Sequence, residues 1–355
     1  MSATPRSISA HMALAARADY AAIIDVRSEG EFAVDCFPGA INAPVLDNTE
    51  RARVGTLYKQ VSPFEARKLG AALVARNIAR HLETRFAAMP RDWNPLIYCW
   101  RGGSRSGAMA QVFAQIGWRV QVVEGGYQAY RRCVVHDLEQ WPAQLQFVVL
   151  CGRTGCGKTR LLHALAQRSA QVLDLEGHAH HRGSVLGIDP QSVQPSQKAF
   201  ESSLHAALAA MDHAQPIFVE SESAKIGALR VPQALHERIR AGRCLRIEMD
   251  DADRCALLLE EYRHLCQQPT LLRDQLARLR VLHGHAVIER WEKLAQQGDW
   301  QTLIDALLRE HYDPAYLKST PRYFPGYAQA VQVEVSTRTD PLLEEAARRV
   351  LAASR

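Results

Sequence analysis

The sequence predicts two consecutive α/β units, each built on a mainly parallel sheet, the second closing in a helical C-terminal part. Three observations carry that prediction. Short apolar runs alternate with helically spaced segments. The alternation breaks at Trp141-Pro142 and then restarts. In each half an apolar run leads directly into a glycine-rich loop. The expected domains are residues 1–140 and 141–355.

In the first domain, residues 21–26 read as a strand ending in Asp25-Val26-Arg27-Ser28, and residues 66–79 have helical periodicity. Residues 95–99 and 119–123 are the next strands, the latter closed by Gly125-Gly126. Such sheets carry their chemistry at the carboxyl ends of the strands. In the second domain, strands are expected at 145–150, 170–175, 216–219 and 244–249. From about 251 to 310 the chain turns to leucine-periodic, arginine-rich helix. Leu257, Leu258, Leu271, Leu272, Leu276, Leu279, Leu303 and Leu307 supply an apolar face, with Arg254, Arg263, Arg273, Arg278, Arg280 and Arg290 largely off it.

Composition is that of a globular protein, with 47% hydrophobic and 23% charged residues. No apolar run approaches the ~20 residues a spanning helix needs. Arg17 and Asp19 interrupt the N-terminal segment, which argues against a signal peptide and for the cytoplasm. Eight cysteines without a CxxC pair support neither a zinc cluster nor a disulfide framework, and fit a reducing compartment. A net charge of +5 is too small to imply nucleic acid by itself.

The first glycine-rich loop is Tyr98-Cys99-Trp100-Arg101-Gly102-Gly103-Ser104-Arg105-Ser106. A nucleophilic cysteine must be held as thiolate. Gly102 and Gly103 let the backbone curl its N–H groups toward one point, Arg101 and Arg105 add positive charge, and the helix that follows presents its N-terminus. The alternative is a buried structural cysteine at a strand end. The second loop, Gly152-Arg153-Thr154-Gly155-Cys156-Gly157-Lys158-Thr159, has phosphate-binding spacing between a strand and a helix. Gly152, Gly155 and Gly157 shape a cradle of N–H groups, Lys158 neutralises phosphate, and the Thr159 hydroxyl suits Mg²⁺.

Taken in order, Asp25-Val26-Arg27-Ser28, Phe37-Pro38-Gly39-Ala40-Ile41-Asn42 and the Cys99 loop resemble a rhodanese-like domain. Joined to a P-loop NTPase-like domain, they resemble the bacterial tRNA 2-selenouridine synthase family. Further matches are Tyr58-Lys59-Gln60-Val61-Ser62-Pro63-Phe64, Asp174-Leu175-Glu176-Gly177 and His181-Arg182-Gly183-Ser184. Phe218-Val219-Glu220-Ser221-Glu222-Ser223 and His311-Tyr312-Asp313-Pro314 complete them. Cys36, Ser104 and Cys156 depart from the family pattern without removing a group the chemistry needs.

The resemblance implies replacement of sulfur by selenium at carbon 2 of the wobble uridine in tRNAs for lysine, glutamate and glutamine, read at the anticodon stem-loop. It implies selenophosphate as selenium donor and geranyl diphosphate as alkyl donor to the thiouridine sulfur. Selenophosphate synthetase is a candidate partner, and no membrane is implied. Cys99 would carry selenium, with Arg101, Gly102, Gly103 and Arg105 holding the anionic donor. Gly157, Lys158 and Thr159 would hold the diphosphate of geranyl diphosphate, with a nucleotide as the other occupant. Asp174, Glu176, Glu220 and Glu222 follow apolar strands and are candidate Mg²⁺ partners beside Thr159, or else solvated loop acids. His178, His180 and His181 are poorly spaced for a metal and read as polar loop residues. Arg263, Arg273 and Arg280, within the stretch from Arg254 to Arg290, are candidate tRNA contacts, against a merely solvated face. Trp100, Tyr312 or Tyr323 would stack on the wobble base.

Two other classes stay open. Cys99 and Arg105 enclose five residues, the spacing of a cysteine phosphatase. A P-loop kinase or ATPase with a non-catalytic first domain is the other.

Overall fold

The structure, a computed structural model, describes residues 4–182, 193–336 and 339–354; of the family-like motifs, Gly183 and Ser184 lie outside that range. The chain forms two compact units, Met1–Asp137 with Pro195–Ala206, and Leu138–Gln194 with Ala207–Arg355. The strip Pro195–Ala206 belongs with the first unit through polar ties. Ser202 Oγ donates to Asp35 Oδ2 at 3.0 Å, and Arg131 Nη1 donates to Ser202 Oγ at 3.1 Å.

The first unit holds strands β1 (Arg6–Ile8), β2 (Ala22–Asp25), β3 (Ala40–Asn42), β4 (Pro95–Tyr98) and β5 (Gln121–Val123). They lie in the order β1-β5-β4-β2-β3, and every pair is parallel. All four residues of β4 are buried, as expected of a central strand covered on both faces. Ile24 and Ile97 meet Met109 and Phe113 of the helix Ser104–Ile116 in one core. Trp93 and Trp118 close it, both within 6 Å of the Phe113 ring centroid, at 5.7 and 5.0 Å.

The second unit repeats the architecture with β6 (Gln146–Cys151), β7 (Gln171–Leu173), β8 (Pro216–Glu220), β11 (Arg243–Glu248) and β12 (Val331–Glu334). Their order is β12-β11-β6-β8-β7, again parallel throughout. A short antiparallel ribbon, β9 (Lys225–Ile226) with β10 (Leu229–Arg230), stands apart. The helices Lys158–Gln167 and Asp340–Ala353 share one core with the sheet, including Leu161, Leu165, Ala347 and Val350. The arginine-rich stretch breaks into short helices around a second core of Leu272, Leu276, Ile288, Trp291, Leu303 and Leu307. Neighbouring Leu257 and Leu258 divide between the sheet core and a helical cluster with Cys255 and Leu308. Among the described residues, no helix is long and apolar enough to cross a membrane.

Candidate active site

Cys99 sits one residue past β4 and is buried, 4% exposed. The backbone then turns through Gly102, with φ +66°, into the helix Ser104–Ile116 capped by Gly103. That turn aims donors at the sulfur. The Ser106 hydroxyl donates to Cys99 Sγ at 3.2 Å, and the Gly103 N–H donates to it at 3.3 Å. Burial raises the thiol, but these donors and the backbone N–H groups of Ser106 and Arg101 outweigh it and hold Cys99 below its ordinary value.

A glycine turn supports the loop from below. The Tyr127 N–H donates to the Cys99 carbonyl at 2.8 Å, and the Gln128 N–H to the Trp100 carbonyl at 3.0 Å. The approach depends on Gly126, at φ +54°, where a Cβ would stand 2.2 Å from the Cys99 oxygen. Arg27 stacks on the Tyr127 ring at 3.9 Å and grips Asp25 through Nη2 at 2.5 Å; both charges are fully buried. The Tyr127 hydroxyl donates to Asp35 Oδ2 at 2.8 Å. Asp25 and Arg27 therefore act on the loop through Tyr127, without touching the sulfur.

The two loop arginines differ. Arg105 Nη1 lies 2.9 Å from Glu31 Oε2, so its charge is already engaged. Burial raises the Glu31 carboxyl, yet Arg105, the Ser28 N–H and Arg51 together hold it below its usual range. Arg101 is exposed, and its side chain makes no ion pair among the described residues. Trp100 is half-buried, its ring centroid 5.3 Å from that of Tyr127.

In the second unit, the loop after β6 leads into the helix Lys158–Gln167. It borders a cleft of about 720 Å³ that brings together Gly152, Gly155, Gly157, Lys158, Thr159, Asp174, Glu176, Glu220 and Glu222. Lys158 Nζ donates to the Gly152 carbonyl at 2.8 Å and to the Arg153 carbonyl at 3.3 Å. Burial lowers its affinity for a proton, but nearby Cys156, Glu220, Glu222 and Glu176 more than offset that.

The four acids have separate duties. Asp174 accepts from the Gly177 N–H at 2.8 Å and lies 2.9 Å from His163 Nε2, so it caps a helix. Glu176, Glu220 and Glu222 are all raised, first by burial and then by repulsion from neighbouring acids. Glu220 hydrogen-bonds the Thr159 hydroxyl, while its Oε1 is buried without a partner. Among the described residues, no three His, Cys, Asp or Glu side chains converge as a metal site. The chemistry of Thr159 and Glu220 nonetheless fits Mg²⁺, which is usually held by one or two protein oxygens plus substrate phosphates and water. His180 and His181 line the cleft wall.

Arg254 corrects a sequence expectation. It is 1% exposed and does not belong to any RNA-facing surface. Its Nη2 lies 2.6 Å from Asp313 Oδ1, and Nη2 and Nε donate to the Thr154 carbonyl at 2.8 and 3.0 Å. The acid of His311-Tyr312-Asp313-Pro314 thus anchors the phosphate loop through an arginine. Arg263, Arg273 and Arg280 are exposed, and Arg290 pairs with Glu310. Tyr312 lines the cleft, and Tyr323 is 49% exposed.

Comparison with known proteins agrees with this layout. Residues 9–133 match the family described as Rhodanese-like domain, and residues 145–275 the one described as tRNA 2-selenouridine synthase AAA domain. A relative from Alcanivorax borkumensis, named tRNA 2-selenouridine synthase, is 36% identical over 83% of this chain and 88% of its own. Relatives of the same name from Hydrogenovibrio crunogenus and Chromohalobacter salexigens are 33% and 34% identical, each over 83% of this chain and over 88% and 86% of theirs. With a buried, donor-ringed cysteine in one unit, a phosphate loop in the other, and relatives matched across both, this chain belongs to the tRNA 2-selenouridine synthase family.

Proposed function

We propose that this protein replaces sulfur by selenium in the wobble 2-thiouridine of tRNAs for lysine, glutamate and glutamine, in the cytoplasm and in two steps divided between its loops. The observation that carries the reading is the pair of unlike anion sites in one chain: a thiol ringed by donors, and a lysine-bearing phosphate cradle. A thiocarbonyl sulfur leaves poorly, and alkylation converts it into a thiolate that can depart.

In the first step the thiouridine sulfur, having lost the N3 proton, attacks C1 of geranyl diphosphate. A C–S bond forms, the C1–O bond breaks, and diphosphate leaves with the bonding pair. Lys158 and the Gly155 and Gly157 amides hold the leaving charge. Thr159 and Glu220 would hold Mg²⁺, which supplies further neutralisation when bound.

In the second step the Cys99 thiolate attacks the selenium of selenophosphate, the product of a selenophosphate synthetase. An S–Se bond forms, and phosphorus departs with the Se–P pair, taking up a proton as phosphite. The terminal selenide then displaces geranyl thiolate from C2. Two molecules of a cellular thiol cleave S–Se by exchange, supplying two electrons, restoring Cys99 and leaving as their disulfide. Exposed Arg101 meets the incoming anionic donor. The engagement of Arg105 with Glu31 disfavours a cysteine phosphatase, whose arginine must face the phosphate.

Separating the steps tests the proposal. Lys158→Ala should lose geranylation of 2-thiouridine tRNA yet still selenate a supplied geranylated tRNA. Cys99→Ser should geranylate and fail to selenate. Diphosphate release without nucleotide turnover supports the reading; an absolute need for ATP hydrolysis contradicts it.

A further inference from the structure

The phosphate cleft does not end at the phosphate loop. Behind it lies a second cavity of about 60 Å³, walled by leucines of the helical C-terminal part with Trp300. One water needs about 10–15 Å³, so it has room for about four to six. Four residues, Thr154, Leu258, Tyr262 and Tyr312, line both cavities. Leu258 is the partition: a Cβ on Gly155 of the phosphate loop would stand 2.8 Å from its Cδ1. A ligand whose phosphates rest on the loop therefore has an apolar slot within one side chain's thickness.

From this juxtaposition we infer that the slot receives the hydrocarbon tail of a short prenyl diphosphate, and that Leu303 and Leu307 set how long a chain fits. The inference rests on the reading of the loop as a diphosphate-ester site and deepens it by naming where the tail lies. A nucleobase needs donors and acceptors along its edge, and Leu265, Leu303, Leu307 and Leu308 offer none. An isoprene chain needs only surface removed from water, and each buried methylene strengthens binding several-fold.

Binding and transfer are read separately with the full-length protein. In calorimetry with Mg²⁺, geranyl diphosphate should bind at least ~30-fold more tightly than methyl diphosphate. ATP should bind no better than inorganic diphosphate. Leu303→Trp, which fills the slot, should lower kcat/KM for the C10 donor at least ~10-fold and for the C5 donor less than ~2-fold, with inorganic diphosphate binding unchanged. Leu307→Ala should move preference toward the C15 donor, and reads the same slot should the tryptophan variant not fold. Equal affinity for geranyl and methyl diphosphate, tighter binding of ATP than of geranyl diphosphate, or an unchanged C10-to-C5 ratio in folded variants would overturn the inference. Wild-type protein that binds geranyl diphosphate tightly but alkylates no thiouridine would instead sink the proposed first step and leave the slot standing.

Discussion

The Ser106 hydroxyl and the Cys99 sulfur stand 3.2 Å apart, seven residues distant in sequence but brought together by one turn of helix after a glycine loop. Ser106 is fully buried, so the contact is sheltered from water. A hydrogen bond to a charged group is worth about 1.5–3 kcal/mol, and this one favours the thiolate over the thiol. Alkylation by iodoacetamide follows the thiolate, so its rate climbs with pH through the Cys99 pKa. In the wild type that midpoint lies below an ordinary thiol's; in Ser106→Ala it moves up toward it. An unmoved midpoint would mean the backbone donors alone suffice.

Gly126 should tolerate no side chain. Its left-handed backbone alone costs an L-residue about 1–2 kcal/mol, and the Cβ would overlap the Cys99 oxygen. Gly126→Ala should slow iodoacetamide labelling of Cys99 by at least ~10-fold while the protein remains folded by circular dichroism. Labelling at the wild-type rate would show that the turn does not position the loop.

The strands at 21–26, 95–99, 145–150 and 216–219 were legible because central parallel strands, covered on both faces, are continuous apolar runs. The edge strands Arg6–Ile8, Ala40–Asn42 and Val331–Glu334 were not, since each is three or four residues long with at most one buried side chain. Both glycine loops could be read from spacing. What spacing hid were partners distant in the chain. Arg105 looked free because Glu31 lies 74 residues away. Arg254 looked solvated among leucines, although Asp313 and the Thr154 carbonyl bury it. Ser106 carried no sequence signal as a thiolate donor, because its role depends on the angle of the turn.

The Arg254–Asp313 pair should support both stability and phosphate binding. Removing one partner of a buried pair costs about 3–5 kcal/mol. Asp313→Asn should therefore lower the Tm and weaken diphosphate binding, while Arg263→Ala, at an exposed arginine, should change stability far less. Equal effects of the two would deny Arg254 its anchoring role.

Charge on the exposed helices should matter to tRNA alone. Each of Arg263→Ala, Arg273→Ala and Arg280→Ala should weaken tRNA binding and flatten its salt dependence by about one counterion, with Tm unchanged. A salt slope identical to the wild type in all three would place the RNA on another surface.

The most direct measurement is the mass of the Cys99 peptide after incubation with selenophosphate and no tRNA. Cys99 should gain one selenium atom, matched by an equal amount of phosphite, and lose it to added thiol. Full-speed selenation of geranylated tRNA by protein whose Cys99 never gains that mass would contradict selenium transfer through Cys99.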